Sequence, residues 1–382
     1  MQYRVKWVAA AIFGISSLFI AGGSCFGAEA RTISVFKAGQ NGYHTYRIPA
    51  MVRAKNGDLL AFAEGRKNSA ADHGDIDIVM KRSSDDGKTW GPLVLVQDEA
   101  GDPTAKIWIG NPTPLVDQTD PKHPGRLWLA FTRSNAKMFV TSSDDNGKTW
   151  AKRRDISSEA VKPAWDWCAA GPVHGIQLER GPHAGRIIIP CDHQIKASGN
   201  WGVHLVYSDD HGTTWKLGAV DTRAADDPLH PNECVAVELA DGRVYVNARE
   251  HNGSDPATRT IAYSSDGGQT FDAPFAAEPN ITSPVVQNSL VRLTLAEPGD
   301  RQNVLVYCGP GHATERRDLT MRVSYDEGKT WKRTTVIHAG PAAYSDLVKL
   351  DDEHVGVLFE AGRRLYGEVL FAKVGLKYLA KP

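Results

Sequence analysis

Arginine residues in three separate segments could together bind a negatively charged ligand. A guanidinium group is planar, stays charged and can hold a carboxylate through two parallel hydrogen bonds. The candidates are Arg47 in the segment YRIP, Arg249 in NARE and Arg316 in RRDLT, with Arg317 as an alternative to Arg316. Any one of them alone is typical of a solvated surface cation, so the interpretation depends on a fold that brings them together.

A glutamate and a tyrosine could add nucleophilic chemistry. Glu233, in the segment NEC, precedes Arg249 by 16 residues, and one out-and-back hairpin of that length could bring both side chains to the same rim. Tyr344, in AYSDL, would be a weak nucleophile, because the pKa of a phenol lies near 10, and it would need an adjacent base. Taken alone, Tyr344 is typical of a buried aromatic residue.

A repeated motif indicates the elements that must position these residues. The stretch SSDDGKTW at Ser83 returns in close copies at Ser143, Ser208, Ser264 and Ser324, with intervals of 60, 65, 56 and 60 residues. Short β-branched and aromatic runs bounded by turn residues lie between the copies, at residues 125–132, 185–190, 243–248 and 303–307. Each period therefore holds about four strands, which is one propeller blade.

The length of the chain predicts the number of blades. Residues 31–382 (382 − 30 = 352 residues) divided by this period give close to six. The sequence predicts an all-β fold, a six-bladed β-propeller, over that range.

The repeated motif, S-x-D-x-G-x-[TS]-[WF], is called the Asp box below. Its Asp and Ser or Thr side chains can bond backbone N–H groups of a glycine-containing turn, and its aromatic residue can pin that turn to the strands. Five calcium or catalytic sites would instead need an oxygen-rich loop that ends in a bidentate glutamate, which the motif lacks. The Asp boxes are interpreted as hairpin locks.

The composition and the first thirty residues limit the class of protein. A formal net charge of −1 gives no reason to expect nucleic acid or a membrane surface as a partner. Arg4 and Lys6 precede an apolar run over residues 7–23, and AEA at residues 28–30 has the form of a signal-peptidase site. We expect a signal peptide over residues 1–30 and a periplasmic or extracellular protein without a membrane span. A retained anchor, or a lipoprotein modified at Cys25, is the alternative.

Four cysteines would remain after removal of the leader, with spacing that suits no zinc site and requires no disulfide. We expect these to be free buried thiols, and we expect no metal and no cofactor. They are Cys168, Cys191, Cys234 and Cys308.

The Asp boxes, together with the segments YRIP, EGR, NEC, NARE and AYSDL in this order, resemble the exo-sialidase (neuraminidase) family of secreted bacterial type. The resemblance spans essentially the whole chain after the leader. It implies a hydrolase that releases terminal sialic acids from glycoproteins, glycolipids or oligosaccharides. The three arginines would then bind the sialic acid carboxylate, Arg66 would lie near it, and Glu360 would hold Arg47 in place.

The same resemblance implies the catalytic roles. Asp72, on a loop after EGR, would be the general acid, with Asp75 and Asp77 of the following strand as alternatives. Tyr344 would be the nucleophile and Glu233 its base, since a carboxylate nucleophile would be repelled by the substrate carboxylate, whereas a neutral phenol is not.

Three further residues are expected to contact the sugar. Trp108 and Asn111 would line a pocket for the N-acyl group, and Gln287 would present a polar group. The roles of His174 and His193 stay open.

The expected activity is exo-α-sialidase, with a tyrosyl–sialyl intermediate and net retention. Transfer of sialic acid to a sugar acceptor would use the same residues. A non-catalytic sialic-acid-binding propeller would lack Tyr344, Glu233 or Asp72. A propeller that acts on neutral polysaccharide or serves in assembly would lack the arginine set.

Overall fold

The computed structural model describes residues 30–99, 107–223, 226–251, 258–296 and 302–379. Within these ranges the regular structure is almost entirely β, with two four-residue helices, α1 (Ser157–Ala160) and α2 (Leu376–Leu379), and a 3-10 turn at Gly181–His183. None of the helices in these ranges could cross a membrane. All of the predicted leader except its last residue lies outside the described residues, and export remains a prediction.

After the first strand, β1 (Thr32–Lys37), four antiparallel sheets follow one another along the chain. The first contains β2 (Thr45–Arg53), β3 (Leu59–Arg66), β4 (Ile76–Ser83) and β5 (Val94–Gln97). The second contains β6 (Ile109–Asp117), β7 (Arg126–Arg133), β8 (Lys137–Ser143) and β9 (Arg154–Asp155). The third contains β10 (Trp165–Ala170), β11 (Ile176–Gln177), β12 (Ile187–Ile195), β13 (Trp201–Ser208) and β14 (Lys216–Val220). The fourth contains β15 (Pro231–Glu238), β16 (Val244–Glu250), β17 (Arg259–Ser264) and β18 (Ala276–Glu278).

The last sheet has seven strands and includes the first strand of the chain. Its other members are β19 (Ser289–Thr294), β20 (Val304–Pro310), β21 (Arg317–Ser324), β22 (Lys332–Lys349), β23 (His354–Ala361) and β24 (Glu368–Gly375). In the long β22, the partners of β21 lie in residues 332–341 and those of β23 in residues 342–349. Because β1 pairs with β24, the two ends of the described chain meet in one sheet.

Apolar side chains fill the space between consecutive sheets. Phe62 and Phe131 join the first sheet to the second, and Leu205 and Val246 join the third to the fourth. A further cluster packs Phe371 of β24 against the first sheet. Sheets that pack face to face around a ring are the arrangement of a propeller, so the prediction of an all-β, propeller-like fold is confirmed.

The side chains of the Asp boxes bond as the hairpin-lock interpretation predicts. Ser83 Oγ donates to Asp85 Oδ1 at 2.8 Å and accepts the Gly87 N–H at 2.9 Å. The backbone N–H and the hydroxyl of Thr89 donate to the two oxygens of Asp85 at 2.9 and 2.7 Å. The same bonds recur in the other four boxes.

The Asp boxes also connect neighbouring sheets. The ring of Trp90 lies 5.5 Å from that of Phe371 in the last sheet, and the ring of Trp150 lies 5.9 Å from that of Phe62 in the first sheet. Each box joins the third strand of a four-stranded group to the fourth, for example β4 to β5. Since neighbouring strands are antiparallel, the start of the first strand and the end of the second lie at the opposite end of each sheet.

A buried carboxylate, Asp346, links several sheets near the centre of the ring. Its Oδ2 accepts the backbone N–H groups of Met51 at 2.8 Å and His174 at 3.2 Å. Its Oδ1 accepts the Ser289 hydroxyl at 2.9 Å and lies 2.7 Å from His174 Nδ1. Burial lowers the pKa of His174, but the charge and the hydrogen bond of Asp346 outweigh it, so that the pKa is raised overall. His174 therefore belongs to the support of the fold.

Candidate active site

A cavity of about 420 Å³ opens at the end of the sheets remote from the Asp boxes. All the predicted site residues except Gln287 and Glu360 line it. The lining residues are Arg47, Ile48, Glu64, Arg66, Asp72, Trp108, Asn111, Asn135, Trp167, Asp192, Gln194, Trp201, Asn232, Glu233, Arg249, His251, Val285, Arg316 and Tyr344.

Irregular backbone in β2, β6, β15 and β22 turns side chains into this cavity. The pairing register shifts around Ile48, Asn111, Glu233 and Tyr344. Ile48 and Asn111 have φ values of 56° and 58°, and each precedes a proline, which has no N–H for the ladder. Such bulges interrupt strand pairing and re-aim side chains, which is how these residues come to face the cavity.

Glu360 holds Arg47 from behind the cavity wall. The Nε of Arg47 donates to Glu360 Oε1 at 2.9 Å, and the glutamate is fully buried. Burial alone would lower the pKa of Arg47, but Glu360 raises it above its ordinary value. The same carboxylate accepts the backbone N–H groups of Ile48 at 2.9 Å and Tyr344 at 3.2 Å. One buried charge therefore fixes an arginine and the backbone of the tyrosine together.

Asp72 lies on the loop between β3 and β4, where its side chain contacts two arginines. Its Oδ1 accepts Arg66 Nη1 at 2.7 Å and Arg47 Nη1 at 3.2 Å, while its side chain remains 77% exposed. Arg66 is itself anchored by Glu64, 2.6 Å from its Nη2. The protein around Asp72 removes part of its water and raises its pKa, although most of the side chain stays exposed. The charges of Arg66 and Arg47 outweigh this effect and lower the pKa below its ordinary value.

Tyr344, Glu233 and Arg249 form a closed cluster. The Tyr344 hydroxyl lies 2.6 and 2.7 Å from the two oxygens of Glu233, to one of which it donates. Arg249 Nη1 donates to the Tyr344 oxygen at 3.0 Å and lies 2.7 Å from Glu233 Oε2. Burial and the Glu233 charge raise the pKa of Tyr344, despite the nearby arginines. The phenol is therefore neutral at rest and already in contact with a base that can take its proton.

The structure separates Arg316 from Arg317. Arg316 lines the cavity, where its Nη1 donates to the Tyr366 hydroxyl at 2.7 Å and its Nη2 to Val285 O at 2.9 Å. Its guanidinium lies 5.5 Å from the centre of the Tyr344 ring. The side chain of Arg317 is 47% exposed and pairs with Asp318 at 2.9 Å, outside the cavity.

The three predicted sugar contacts differ in their positions. Trp108 and Asn111 line the cavity, joined through Asn135, whose Oδ1 accepts the Trp108 indole at 3.1 Å and whose Nδ2 donates to Asn111 Oδ1 at 2.9 Å. Gln287 lies outside the cavity. It is fully buried and donates to Pro172 O at 3.1 Å, so its side chain serves the packing beneath the site.

The remaining candidates do not line the cavity. Asp75 and Asp77 both pair with Lys67, at 2.8 and 3.1 Å, and Asp77 also accepts the Tyr43 hydroxyl at 2.7 Å. His193 is buried and stacks on Trp165 at 4.0 Å. The four cysteines beyond the predicted leader are buried and free.

One wall of the cavity was not predicted from the sequence. The rings of Trp167 and Trp201 pack edge to face with their centres 5.6 Å apart, and the centre of the Trp201 ring lies 4.7 Å from that of His251. The Trp167 indole donates to the buried Asp192 at 3.2 Å, and burial and the charge of Glu233 raise the pKa of that carboxyl well above its usual range. These residues belong to no recognisable motif. The only feature of the sequence that could have indicated His251 is its position two residues after Arg249.

No group of three or more His, Cys, Asp or Glu side chains suited to a metal ion occurs within the described residues. The charged and nucleophilic groups that line the cavity are arginines, carboxylates and a tyrosine.

Comparison with known proteins agrees with this architecture. Residues 57–357 match the sequence profile of the BNR repeat-like domain. The chain is 34% identical over 345 residues to a sialidase of Micromonospora viridifaciens, covering 85% of this chain and 51% of that protein. It is 28% identical over 382 residues to an exo-alpha-sialidase of Aspergillus fumigatus, covering 88% of this chain and 86% of that protein.

The solved structures include a Hadza microbial sialidase, Hz136, with a TM-score of 0.78 at 25% identity, over 91% of this chain and 68% of that one. An intramolecular trans-sialidase from Ruminococcus gnavus, with a TM-score of 0.75 at 18% identity, covers 92% of this chain and 99% of that one and shows the fold alone. Fold and site define a propeller-like protein with an arginine-lined cavity around a tyrosine–carboxylate pair. The chain belongs to the BNR repeat-like family, and the curated relatives named above are sialidases.

The different positions of the two neighbouring arginines give a direct prediction. Arg316→Ala should weaken binding of a sugar that bears a carboxylate, with N-acetylneuraminic acid as the probe, about tenfold or more, because a charged hydrogen-bond donor leaves the cavity. Arg317→Ala should leave the dissociation constant within about twofold, since an exposed ion pair contributes little. Isothermal titration calorimetry measures both, and equal losses in the two variants would contradict the assignment.

Proposed function

We propose that the chain is an exo-α-sialidase that hydrolyses terminal sialic acids with retention at the anomeric carbon. The observation that carries this proposal is the contact of the Tyr344 hydroxyl with both oxygens of Glu233, at 2.6 and 2.7 Å, inside an arginine-lined cavity. The substrates proposed are sialylated glycoproteins, glycolipids and oligosaccharides.

The arginines would seat the carboxylate of the sugar. Arg47 and Arg316 both lie next to the Tyr344 ring, with their guanidinium carbons 5.2 and 5.5 Å from its centre. A carboxylate held by both would stand next to the phenol, and the anomeric carbon that bears it would be within the reach of Tyr344. Trp108 and Asn111 would then border the N-acyl group.

Glu233 would act as the base and Tyr344 as the nucleophile. As Glu233 takes the phenolic proton, the phenolate oxygen forms a bond to the anomeric carbon and the glycosidic bond breaks. The Arg249 N–H, 3.0 Å from that oxygen, would stabilise the negative charge that develops on it. Because the base already lies in contact with the phenol, the raised pKa of Tyr344 does not prevent its activation.

Asp72 would donate a proton to the departing oxygen and then take one from the water that releases the sugar. The acid of the first step becomes the base of the second, and two inversions give retention. In the free protein the lowered pKa of Asp72 disfavours its acid form. A bound substrate carboxylate would add a negative charge close to Arg47 and Arg66 and weaken their effect on Asp72, which would raise the pKa of Asp72 and make it a proton donor.

We also propose that the fold is a six-bladed propeller. The support comes from β22, whose two parts pair with different neighbours, so that the seven-stranded sheet divides into two groups of four strands that share β22. Together with the four preceding sheets, these groups would make six blades. A crystal structure would count the blades directly, and a ring of any other number would contradict this proposal.

The proposed activity is tested by release of the aryl alcohol from an aryl α-sialoside. Tyr344→Phe should lower kcat about a thousandfold or more, since the variant has no nucleophilic oxygen. Tyr263→Phe is the matched control, because Tyr263 lies on β17 away from the cavity and should retain wild-type activity. A wild-type protein that binds sialic acid without turnover would contradict the proposed enzymatic activity and indicate a sialic-acid-binding protein. Product analysis with added lactose would reveal transfer.

The pH dependence should differ between the free enzyme and the complex. Because the arginines lower the pKa of Asp72 in the free protein, its acid form is lost at lower pH there than in the complex. The alkaline limb of kcat, which reports the complex, should therefore lie at higher pH than the limb of kcat/KM, which reports the free enzyme. Steady-state kinetics with a sialyl-oligosaccharide measure both, and a kcat limb at the same or lower pH would argue against this role of Asp72.

A further inference from the structure

The donors of Arg249 are almost fully occupied by groups of the protein itself. Its Nε donates to Asn232 Oδ1 at 2.8 Å, and its Nη1 contacts Tyr344 and Glu233 at 3.0 and 2.7 Å. Its Nη2 lies 2.7 Å from His251 Nδ1. Of the five N–H donors of a guanidinium group, one on Nη2 is left for a ligand. Arg249 therefore acts mainly on the tyrosine–glutamate pair.

The contact with Arg249 fixes the tautomer of His251. An arginine N–H can only donate, so the Nδ1 of His251 must accept, and the ring proton is on Nε2. Burial, followed by the charges of Arg249, His230 and Arg316, lowers the pKa of His251 to about 3. The ring in this wall is thus a neutral imidazole whose Nδ1 lone pair accepts the hydrogen bond of Arg249.

The surroundings of His251 hold the ring in this orientation. Its backbone N–H donates to His230 O at 2.9 Å, and its ring packs against Trp201 at 4.7 Å. Asn232 Nδ2 lies 3.4 Å from the same Nδ1. Asn232 and His251 therefore hold two nitrogens of Arg249, Nε and Nη2, and leave Nη1 facing the reacting pair.

Resting on the sialidase function proposed above, we propose that His251 is a positioning residue for catalysis. It holds Arg249 so that one nitrogen is shared between the Tyr344 oxygen and Glu233. Without this acceptor, Arg249 could turn and bind Glu233 through two parallel N–H groups, which is the geometry that arginine–carboxylate pairs prefer. Such a fork would lower the basicity of Glu233 and remove the donor from the phenolate oxygen. The chemical step would slow, while Arg47 and Arg316 would still hold the substrate.

His251→Phe tests this role, because it keeps an aromatic ring against Trp201 and removes the acceptor. We expect kcat on the aryl sialoside to fall about 10- to 100-fold, the effect of one hydrogen bond to a charged group, with KM within about threefold. His251→Asn should restore most of kcat, since its Oδ1 can take the place of Nδ1. His354→Phe, at a half-buried position remote from the cavity at the start of β23, is the matched control.

The outcomes separate this inference from the proposed function. Failure of the wild-type protein to hydrolyse the sialoside would remove the function itself. An active wild type with His251→Phe at wild-type kcat, or with a raised KM alone, would overturn the positioning role only. A His251→Asn variant that folds but has the low kcat of His251→Phe would also overturn the positioning role.

A measurement on the unmodified protein keeps the inference testable if the variants do not fold. The ¹⁵N resonances of a histidine-labelled wild type should show His251 with its proton on Nε2 and an unprotonated Nδ1. A ring protonated at Nδ1 would overturn the proposal.

Discussion

The site depends on one electrostatic constraint, which is that four arginines must lie close together in one cavity. The cluster contains four arginines and three glutamates, namely Arg47, Arg66, Arg249, Arg316, Glu64, Glu233 and Glu360. Three of the arginines each contact their own glutamate, and Asp192 of the cavity lining counts as neutral because its pKa is raised well above the usual range. The sum is therefore 4 − 3 = +1 when Asp72 is protonated and zero when it is ionised. In the proposed mechanism, a site of charge +1 would match one bound carboxylate and would keep the proton that the leaving group needs. Charge balance and catalysis would then be coupled through Asp72.

The scaffold separates rigidity from chemistry. The Asp boxes close the turns at one end of the sheets and tie each turn to a neighbouring sheet through an aromatic residue, as Trp90 does with Phe371. Asp346 joins the inner strands near the centre with hydrogen bonds that are fully buried. At the other end, bulges around Ile48 and Glu233 break the regular ladder and aim side chains inward. Such local irregularity is tolerated because the surrounding sheets hold it in place.

Much of this arrangement could be predicted from the sequence, because the fold repeats and the site motifs stand outside the repeat. The Asp-box period predicts the β meanders, and the ordered segments predict the residues that meet in the cavity, including Tyr344 and Glu233. Burial could not be predicted in the same way, so Gln287 was expected to face the sugar although it lies beneath the cavity. Trp201 and His251 belong to no motif, and they line the cavity only because separate sheets come together there. The extension of β22 across two groups of strands likewise depends on tertiary packing.

In the proposed mechanism, the Tyr344 oxygen forms the covalent bond to the sugar. The most direct test is mass spectrometry of the protein after reaction with a 2,3-difluoro sialic acid, whose second fluorine slows release of the intermediate. We expect the gain of one fluorosialyl group, located on Tyr344 in the fragment spectra and absent from Tyr344→Phe. A label on Glu233, or an unlabelled tyrosine in a protein that still hydrolyses sialosides, would contradict it.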